Sequence, residues 1–282
     1  MFLRKVLGVA AIASVVMAGH ARADLIDLTT PGGGTAIIDF HNYESFTNQL
    51  NIGSQNYGTF QVTAITVNGN NVFAPSSGAY LVGVFNGITV ASVSGSAPNI
   101  NVGNTGGTFN IWQVSSAQLG TVGQTIGTLF AQGTGGYAAA GGGCAIAMLC
   151  YNGITNVGGT DYLNFNLVPG ADAAGDTLAA TLTTNSFPPT GSANGYGDIT
   201  GGAGATQFTT GNYLTSVGTF ADVTFSDEFC PNGSSGRCIP AIGNWDDQSF
   251  DPATAQVSAP EPLTLSLLGV GLIGLGISRR RR

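Results

Sequence analysis

The sequence predicts an all-β fold, either a β-sandwich or a jelly-roll-like domain. Several short segments alternate apolar and polar side chains with a period of two, as half-buried strands do. These segments are rich in Thr, Val, Ile and Phe, and turns containing Gly and Asn separate them. Helical periodicity is weak, and 44 of the 282 residues are glycine. Short strands joined by such turns are typical of sandwiches and jelly rolls.

The strands are predicted from this alternation in chain order. Asn68-Gly69 ends the second strand, and Asn86-Gly87 separates the third from the fourth. Because Asn-Gly tolerates the two positive φ angles of a type I′ turn, we expect a hairpin around Asn86-Gly87. The predicted strands span residues 35–40, 60–67, 80–85, 88–93, 108–114, 162–168, 177–183 and 216–225.

The other parts of the predicted domain, which extends over residues 24–245, are a short helix and long loops. Residues 116–132 carry a one-sided apolar pattern, but three internal glycines disfavour a helix there, so helix and loop both stay open. Residues 246–259 are predicted to be a polar linker that follows the last strand. Glycine-rich loops are predicted at residues 31–34, 133–143 and 191–204.

Charge is scarce and unevenly distributed. Only 8% of the residues are charged, and between Asp24 and Pro262 a single basic residue, Arg237, stands against fifteen acidic ones. A body with this balance cannot neutralise a phosphate backbone, which excludes nucleic acid as a partner. Because the body is negatively charged, it is also not expected to bind an anionic lipid surface.

The N-terminus has the pattern of a secretory signal peptide over residues 1–23. Arg4 and Lys5 precede a mainly apolar run at residues 6–19, and Ala21-Arg22-Ala23 fits an A-x-A cleavage site. The alternative is a retained membrane anchor, for which the run is short, because a bilayer needs about 20 apolar residues. We therefore expect export through the inner membrane.

The C-terminus combines three features in a fixed order. A Pro-Glu-Pro element precedes an uncharged apolar stretch at residues 263–278, and a cluster of arginines follows it. As a single helix the stretch would span about 24 Å, and flanking arginines can extend that reach to anchor the chain transiently in the inner membrane. The element and the cluster consist of Pro260, Glu261, Pro262, Arg279, Arg280, Arg281 and Arg282.

This tail, at residues 260–282, resembles the PEP-CTERM sorting signal of Gram-negative bacteria. The resemblance implies processing by an exosortase, a membrane-embedded enzyme that acts near the Pro-Glu-Pro element. It also implies release to the cell surface or extracellular matrix and an association with exopolysaccharide, biofilm and floc formation. Ala259 stands where Val is common in the family. The alternative is a plain C-terminal membrane anchor.

Export makes the four cysteines candidates for disulfide bonds. Cys144 and Cys150 enclose five residues, and Cys230 and Cys238 enclose seven. Four cysteines allow three pairings, of which the two local ones, 144–150 and 230–238, are preferred. A zinc site is the alternative, but the ligand spacing does not fit one.

Catalytic chemistry is poorly supplied. The mature chain has one histidine, His41, and no lysine, and no nucleophile motif accompanies the nearby Asp39. We expect His41 to form a local hydrogen bond and assign no catalytic residue. A glycosidase needs two carboxyl groups, but no motif pairs the candidates, which are expected to form a solvated acidic surface. These candidates are Asp161, Asp222, Asp227 and Glu228.

Ligand contacts are expected near the predicted linker. Trp245 lies between polar residues, which favours an exposed ring that could stack on a sugar, with Asp246 and Asp247 beside it. Trp112 lies in an apolar alternation and is expected in the core. The acidic pairs Asp227-Glu228 and Asp246-Asp247 could bind Ca²⁺, although no calcium-loop motif is present, so the metal stays unknown and no cofactor is required.

Two functions follow from these observations. The first is a non-enzymatic structural or adhesive component of an extracellular polysaccharide matrix. The second is a carbohydrate-binding or carbohydrate-cleaving β-sandwich protein. A cleft lined by two close carboxyl groups and exposed aromatic rings would favour the second function over the first.

Overall fold

The computed structural model describes residues 25–30, 32–48, 50–76, 78–121, 159–183, 187–234, 236–241 and 245–259. The described residues contain thirteen strands and one short α-helix, α1 (Ser116–Thr121), so the all-β prediction is confirmed. The strands are β1 (Gly34–Phe46), β2 (Gln55–Val67), β3 (Asn70–Phe73), β4 (Tyr80–Ser96), β5 (Asn99–Thr105), β6 (Thr108–Val114), β7 (Thr160–Val168), β8 (Leu178–Leu182), β9 (Gly191–Gly201), β10 (Tyr213–Leu214), β11 (Phe220–Ala221), β12 (Val223–Pro231) and β13 (Asp247–Val257).

Several predictions fall on other residues. The signal peptide, the sorting signal, the Cys144–Cys150 pair, the Gly-rich stretch 133–143 and residues 122–132 of the predicted helix lie outside the described residues. Within the described ranges, no helix has both the length and the apolar character needed to cross a membrane.

Eleven strands form one sheet that closes on itself. Antiparallel pairing runs from β1 to β2, from β2 to β4, and from β4 to both β5 and β6. It continues from β5 to β8 and from β6 to β7, and both β7 and β8 pair with β9. Strand β9 then pairs with β12, and β12 pairs with β13. The last strand, β13, returns to pair with β1. Strands β5 and β6 lie in line along one edge of β4, and β7 and β8 lie in line along β9. The short β3 lies in line with β4 along one edge of β2. Each in-line pair occupies one position, so the sheet is an eight-position antiparallel ring rather than the two facing sheets of the predicted sandwich.

Alternate side chains of these strands fill the interior of the ring. A ring of eight strands leaves an interior just wide enough for side chains to fill. Phe109 stacks on Phe165 with ring centroids 4.6 Å apart and on Phe85 at 5.3 Å, while Phe40 meets Phe60 edge-on at 5.2 Å. These rings belong to one continuous apolar core.

Glycines on the inner face make room for these rings. A Cβ atom added to Gly83 would lie 2.2 Å from Cζ of Phe60 and 2.6 Å from the carbonyl oxygen of Asn110. Gly195 and Gly197 on β9 stand in the same relation to Phe225 and Phe165. The stretch 191–204, predicted to be a loop, is therefore mostly strand β9, and its glycines serve packing rather than flexibility.

The two Asn-Gly pairs behave differently. Asn68 and Gly69 have φ angles of 52° and 80° and make the turn between β2 and β3. The hairpin predicted at Asn86-Gly87 is wrong, because β4 continues through this pair. Between Phe85 and Ile88, two β4 residues oppose one residue of β2, and Gly87 has φ 74°, so the pair forms a β-bulge.

The predicted linker at residues 246–259 is also wrong. It contains β13, which pairs with both β1 and β12 and therefore closes the ring. The segment resembles a polar linker in sequence because several of its inward-facing residues are acids or serine rather than apolar residues. The strand predicted at residues 216–225 is divided between β11 and β12, whereas those at 108–114 and 162–168 are confirmed as β6 and β7.

Residues 25–30 pack against the core of the ring. Leu28 is fully buried, and its backbone N–H donates to Oε1 of Gln207 at 2.5 Å. Nε2 of Gln207 donates to the carbonyl oxygen of Ile26 at 2.9 Å, and the Tyr162 hydroxyl donates to the same oxygen at 3.2 Å. These bonds fix the first described segment across the strand ends.

Replacing Gly83 by alanine tests the packing of the inner face. We expect Gly83→Ala to lower the free energy of unfolding by about 1–3 kcal/mol, because the new methyl group must displace Phe60 or the backbone of Asn110. Gly120→Ala in α1, where an added Cβ meets nothing within 4 Å, is the control and should leave stability unchanged or slightly raised. Equal effects of the two substitutions in urea denaturation would contradict this packing.

Candidate functional site: a buried cluster of carboxyl groups

The inner face of the ring changes from apolar to acidic along its closing strands. Inward positions of β1 carry Ile38 and Phe40 and then Asn42 and Glu44, all of them buried. The antiparallel register places Glu44 opposite Asp247 and Asn42 opposite Ser249. We call four side chains the inner acidic cluster: Glu44 of β1, Asp227 of β12, and Asp247 and Asp251 of β13.

Two amide side chains hold parts of the inner acidic cluster. Nδ2 of Asn56 donates to Oε2 of Glu44 at 2.6 Å, and Nδ2 of Asn42 donates to Oδ2 of Asp251. Ser249 lies near Glu44, Asp227 and Asp251, but its hydroxyl completes no hydrogen bond of ordinary geometry with the described residues. Donors at this end of the ring are therefore few compared with acceptors.

Burial makes ionisation of the cluster unfavourable. Desolvation, and then the charges of Asp227 and Asp246, raise the pKa of Glu44 to about 8. Desolvation also raises the pKa of Asp247 to about 9 and that of Asp251 to about 7. The pKa of Asp227 is likewise well above its ordinary value, because of burial and the neighbouring Asp251. The four groups therefore oppose one another's charge.

No basic side chain on the described inner face compensates these acids. Arg237 is the one arginine or lysine of the described residues, and it lies over the Phe250 ring at 5.8 Å from its centroid. Phe250 belongs to the opposite set of alternating β13 positions from Asp247 and Asp251, on the outer face. The cluster is therefore a buried group of acids without a counter-charge from the described chain.

The space beside the cluster is small. A cavity of about 30 Å³ is lined by the polar residues Glu44, Asn56, Asn104 and Asp227 together with apolar side chains. A second cavity of about 10 Å³ touches Asn42 and Asp251. A water molecule occupies about 30 Å³ in the liquid. These cavities can hold a water molecule or a single ion, but they cannot hold a sugar ring.

The expected ligand contact at Trp245 is not supported. Trp245 is only 5% exposed, and its ring centroid lies 6.5 Å from that of Tyr57. Asp246 accepts a hydrogen bond from the backbone N–H of Phe46 at 3.2 Å, and Asp247 is fully buried. These residues lie at the start of a ring strand rather than on an exposed linker. The prediction that Trp245 is exposed and could stack on a sugar is therefore wrong. Trp112, expected in the core, is half-buried.

The expected acidic surface is confirmed for two of its four candidates. Asp161 and Glu228 are exposed. Asp222 is buried and structural, since it accepts backbone hydrogen bonds from Ile199 and Gly211 at 2.9 and 2.6 Å. Asp227 belongs to the inner acidic cluster, and its Oδ1 atom is buried.

Sequence reasoning missed Glu44 and Asp251 entirely. The available signal was alternation. Glu44 continues the even-numbered inward positions of β1, and Asp251 lies among odd-numbered inward positions of β13. Without the closing pair β1–β13, nothing in the sequence showed that these alternations face each other.

The predicted disulfide between Cys230 and Cys238 is confirmed, with the two Cα atoms 6.3 Å apart. Gln248, on the outer face of β13, fixes the loop that this bond closes. Its Nε2 donates to the carbonyl oxygens of Cys238 and Pro240 at 3.0 and 2.8 Å and to Oδ1 of Asn232 at 2.6 Å. The disulfide therefore closes a loop at the end of β12, and the hydrogen bonds of Gln248 hold that loop against β13.

His41 has a structural environment. Its Nε2 lies 2.9 Å from Oε1 of Gln248, and its ring stacks on Phe250 with centroids 4.2 Å apart. Burial lowers its pKa, which favours the neutral ring. The local hydrogen bond expected for His41 is present with the hydroxyl of Tyr43, which lies 3.4 Å from its Nδ1, and the contact with Gln248 is a second, long-range one.

Searches against protein-family models, curated proteins and solved structures find no match to this chain. Within the described ranges, no group of three or more His, Cys, Asp or Glu side chains is already gathered around one point as a metal site. Functional inference therefore rests on the chemistry of the residues themselves.

The inner acidic cluster predicts that the free energy of unfolding falls as the pH rises. This applies to metal-free protein, which is kept in a chelator. Its carboxyl groups have folded-state pKa values raised to about 7, 8 and 9, against ordinary values of 3.8 to 4.5. The folded state therefore binds more protons than the unfolded state over this range. The contribution of this proton binding to the free energy of unfolding is fully present below about pH 4 and is lost as the pH rises through 7 to 9.

We expect the free energy of unfolding to fall by at least about 2 kcal/mol between pH 5 and pH 9 in the chelator. Denaturation in urea at a series of pH values measures it. Asp247→Asn should flatten the profile, whereas Glu228→Gln, which changes an exposed carboxyl on the adjacent strand, should not. Stability that is constant or rises over this range would contradict the burial of ionisable acids.

Proposed function

We propose that this chain is a non-enzymatic structural or adhesive component of the extracellular polysaccharide matrix of a Gram-negative bacterium, exported and then sorted to the cell surface by an exosortase. The observation that carries the structural role is the filled interior of the ring. Its aromatic core and its cavities of about 30 and 10 Å³ leave no room there for a sugar substrate. The tail at residues 260–282 supports the sorting step.

An exposed apolar hairpin supports the adhesive part of this role. Leu214 of β10 pairs across the hairpin with Phe220 of β11, and the two side chains are 61% and 62% exposed. Val217, in the connecting turn, is 43% exposed. Exposed apolar patches on soluble proteins commonly mark contact surfaces. This hairpin is a candidate contact point with other matrix components.

The disulfide supports an extracytoplasmic destination. Structural disulfides persist in oxidising compartments and are rare in the cytosol. The Cys230–Cys238 bond therefore agrees with the signal peptide expected at residues 1–23.

The carbohydrate-cleaving alternative has less support. Hydrolysis needs two carboxyl groups on either side of a bound sugar. The carboxyl groups that lie close together here face the interior, beside space for a water molecule or an ion. Trp245, the proposed stacking residue, is buried.

Truncation of the tail tests the sorting step. We expect deletion of residues 260–282 to abolish surface display and leave the protein in the periplasm. The triple substitution Pro260→Ala, Glu261→Ala and Pro262→Ala retains the apolar stretch and the arginines. It should trap the chain in the inner membrane, as measured by cell fractionation and immunodetection.

The triple variant separates the sorting signal from a plain anchor. An anchor depends only on the apolar stretch and the arginines, so the variant would then fractionate like the unmodified protein. Unchanged fractionation of the triple variant, or unchanged surface display after the deletion, would contradict sorting by an exosortase.

A further inference from the structure

The interior of the ring contains more oxygen acceptors than the chain can satisfy. Asp247 is fully buried, and neither of its carboxyl oxygens has a hydrogen-bond partner among the described residues. Its position opposite Glu44 on the inner face directs it toward the rest of the inner acidic cluster. A buried carboxyl group without a partner is costly, and native structures ordinarily satisfy such groups.

Other residues near Asp247 also have buried oxygen atoms that lack a hydrogen-bond partner in the described part of the chain. Further buried oxygens at this end of the ring lack a partner among the described residues. They are Oδ1 of Asn42, Oδ1 of Asn56, Oδ1 of Asp227, Oγ of Ser249 and Oδ1 of Asp251. The two amide nitrogens that could donate are already committed to Glu44 and Asp251. These acceptors come from four adjacent strands, β2, β1, β13 and β12.

We propose that the inner acidic cluster binds one Ca²⁺ ion inside the ring, with Asp247 and its cross-strand partner Glu44 as the principal ligands. The remaining ligands are the buried Oδ1 of Asn56, whose amide nitrogen already bonds Glu44, and Oγ of Ser249. This inference goes beyond the proposed matrix role and does not depend on it. Of the acidic pairs considered from the sequence as Ca²⁺ ligands, Asp227-Glu228 and Asp246-Asp247, only Asp247 is a ligand in this proposal.

The chemistry of the ligands selects the ion. All of them are oxygen atoms from carboxyl, amide and hydroxyl groups, which suit a hard cation rather than zinc or copper. Calcium accepts six to eight oxygens in flexible geometry, whereas magnesium demands a regular octahedron and retains several waters. Because three or more acidic groups are not gathered around one point, the site has to combine carboxyl groups with amide and hydroxyl oxygens and tolerate irregular geometry. Calcium meets this condition better than magnesium.

The size and charge of the site agree with this assignment. The cavity of about 30 Å³ beside Glu44, Asn56 and Asp227 has room for one ion or one water molecule. A divalent cation would offset two of the four negative charges that the ionised cluster carries. It would also cross-link β13 to β1, the pairing that completes the ring.

Calorimetry on the exported chain tests the site. After treatment with EDTA and dialysis, CaCl₂ is titrated into the protein at pH 7.5, and thermal unfolding is followed with and without the ion. We expect one ion per chain with a Kd below about 10⁻³ M. Unfolding should shift to higher temperature in proportion to the occupancy of the site. MgCl₂ should bind at least about tenfold more weakly.

Matched variants locate the ion. Asp247→Asn keeps the size of the side chain but removes its charge, and should weaken Ca²⁺ binding at least about tenfold. Glu228→Gln on the outside of β12 should leave binding unchanged. Glu44→Gln provides a second inner variant if Asp247→Asn does not fold, as judged by circular dichroism, and should also weaken binding.

The proposal is overturned by any of three results. The first is that wild-type protein gives neither binding heat nor a shift in unfolding temperature with CaCl₂. The second is that Glu228→Gln weakens binding as much as a folded inner variant. The third is that a folded inner variant binds Ca²⁺ like the wild type.

Discussion

Closure of the sheet between β13 and β1 is the constraint on which the rest of this structure depends. Once the ring is closed, every second residue of eight strand positions faces a space of fixed width, and these side chains must fill it. The inner glycines follow from this limit, because large rings such as Phe60 and Phe225 need a partner position without a side chain. Closure also brings Glu44 opposite Asp247, residues that are far apart in the sequence.

Closure therefore creates both the stable and the costly part of the molecule. At one end the interior is continuous apolar packing, to which Leu28 and the aromatic stack contribute. At the other end the same alternation places three buried acids, Glu44, Asp247 and Asp251, and the partly buried Asp227 where no basic side chain of the described chain compensates them. Native proteins keep costly buried polar groups mainly where they have a function. The acidic end is therefore the part of the ring in which function is best sought.

Local signals in the sequence were sufficient for the all-β class and for several strands, but not for the closed ring. Residues 108–114 and 162–168 alternate clearly and are strands, and Asn68-Gly69 forms the expected turn. The prediction failed where an inner position is glycine or acidic, as in β9 and β13, because such strands have the composition of a loop or linker. Asn86-Gly87 was mistaken for a hairpin because a bulge uses the same positive φ at glycine.

The candidate site was only partly accessible from the sequence, for a related reason. Asp227 and Asp247 attracted attention because each has an acidic neighbour, but the chain neighbours Glu228 and Asp246 are not the groups that share the interior with them. Their true neighbours, Glu44 and Asp251, are defined by strand register and closure. Long-range register of this kind cannot be deduced from a single sequence when the closing strand itself is taken for a linker.

Infrared spectroscopy of the metal-free protein can establish directly whether the acids inside the ring are protonated, because protonated carboxyl groups and ionised carboxylates absorb at distinct frequencies. At pH 7 we expect the folded chain in EDTA to show a C=O stretch of protonated carboxyl groups, which Asp247→Asn should weaken and unfolding in urea should remove. A spectrum that contains only ionised carboxylates at pH 7 would contradict the burial of uncompensated acids inside the ring.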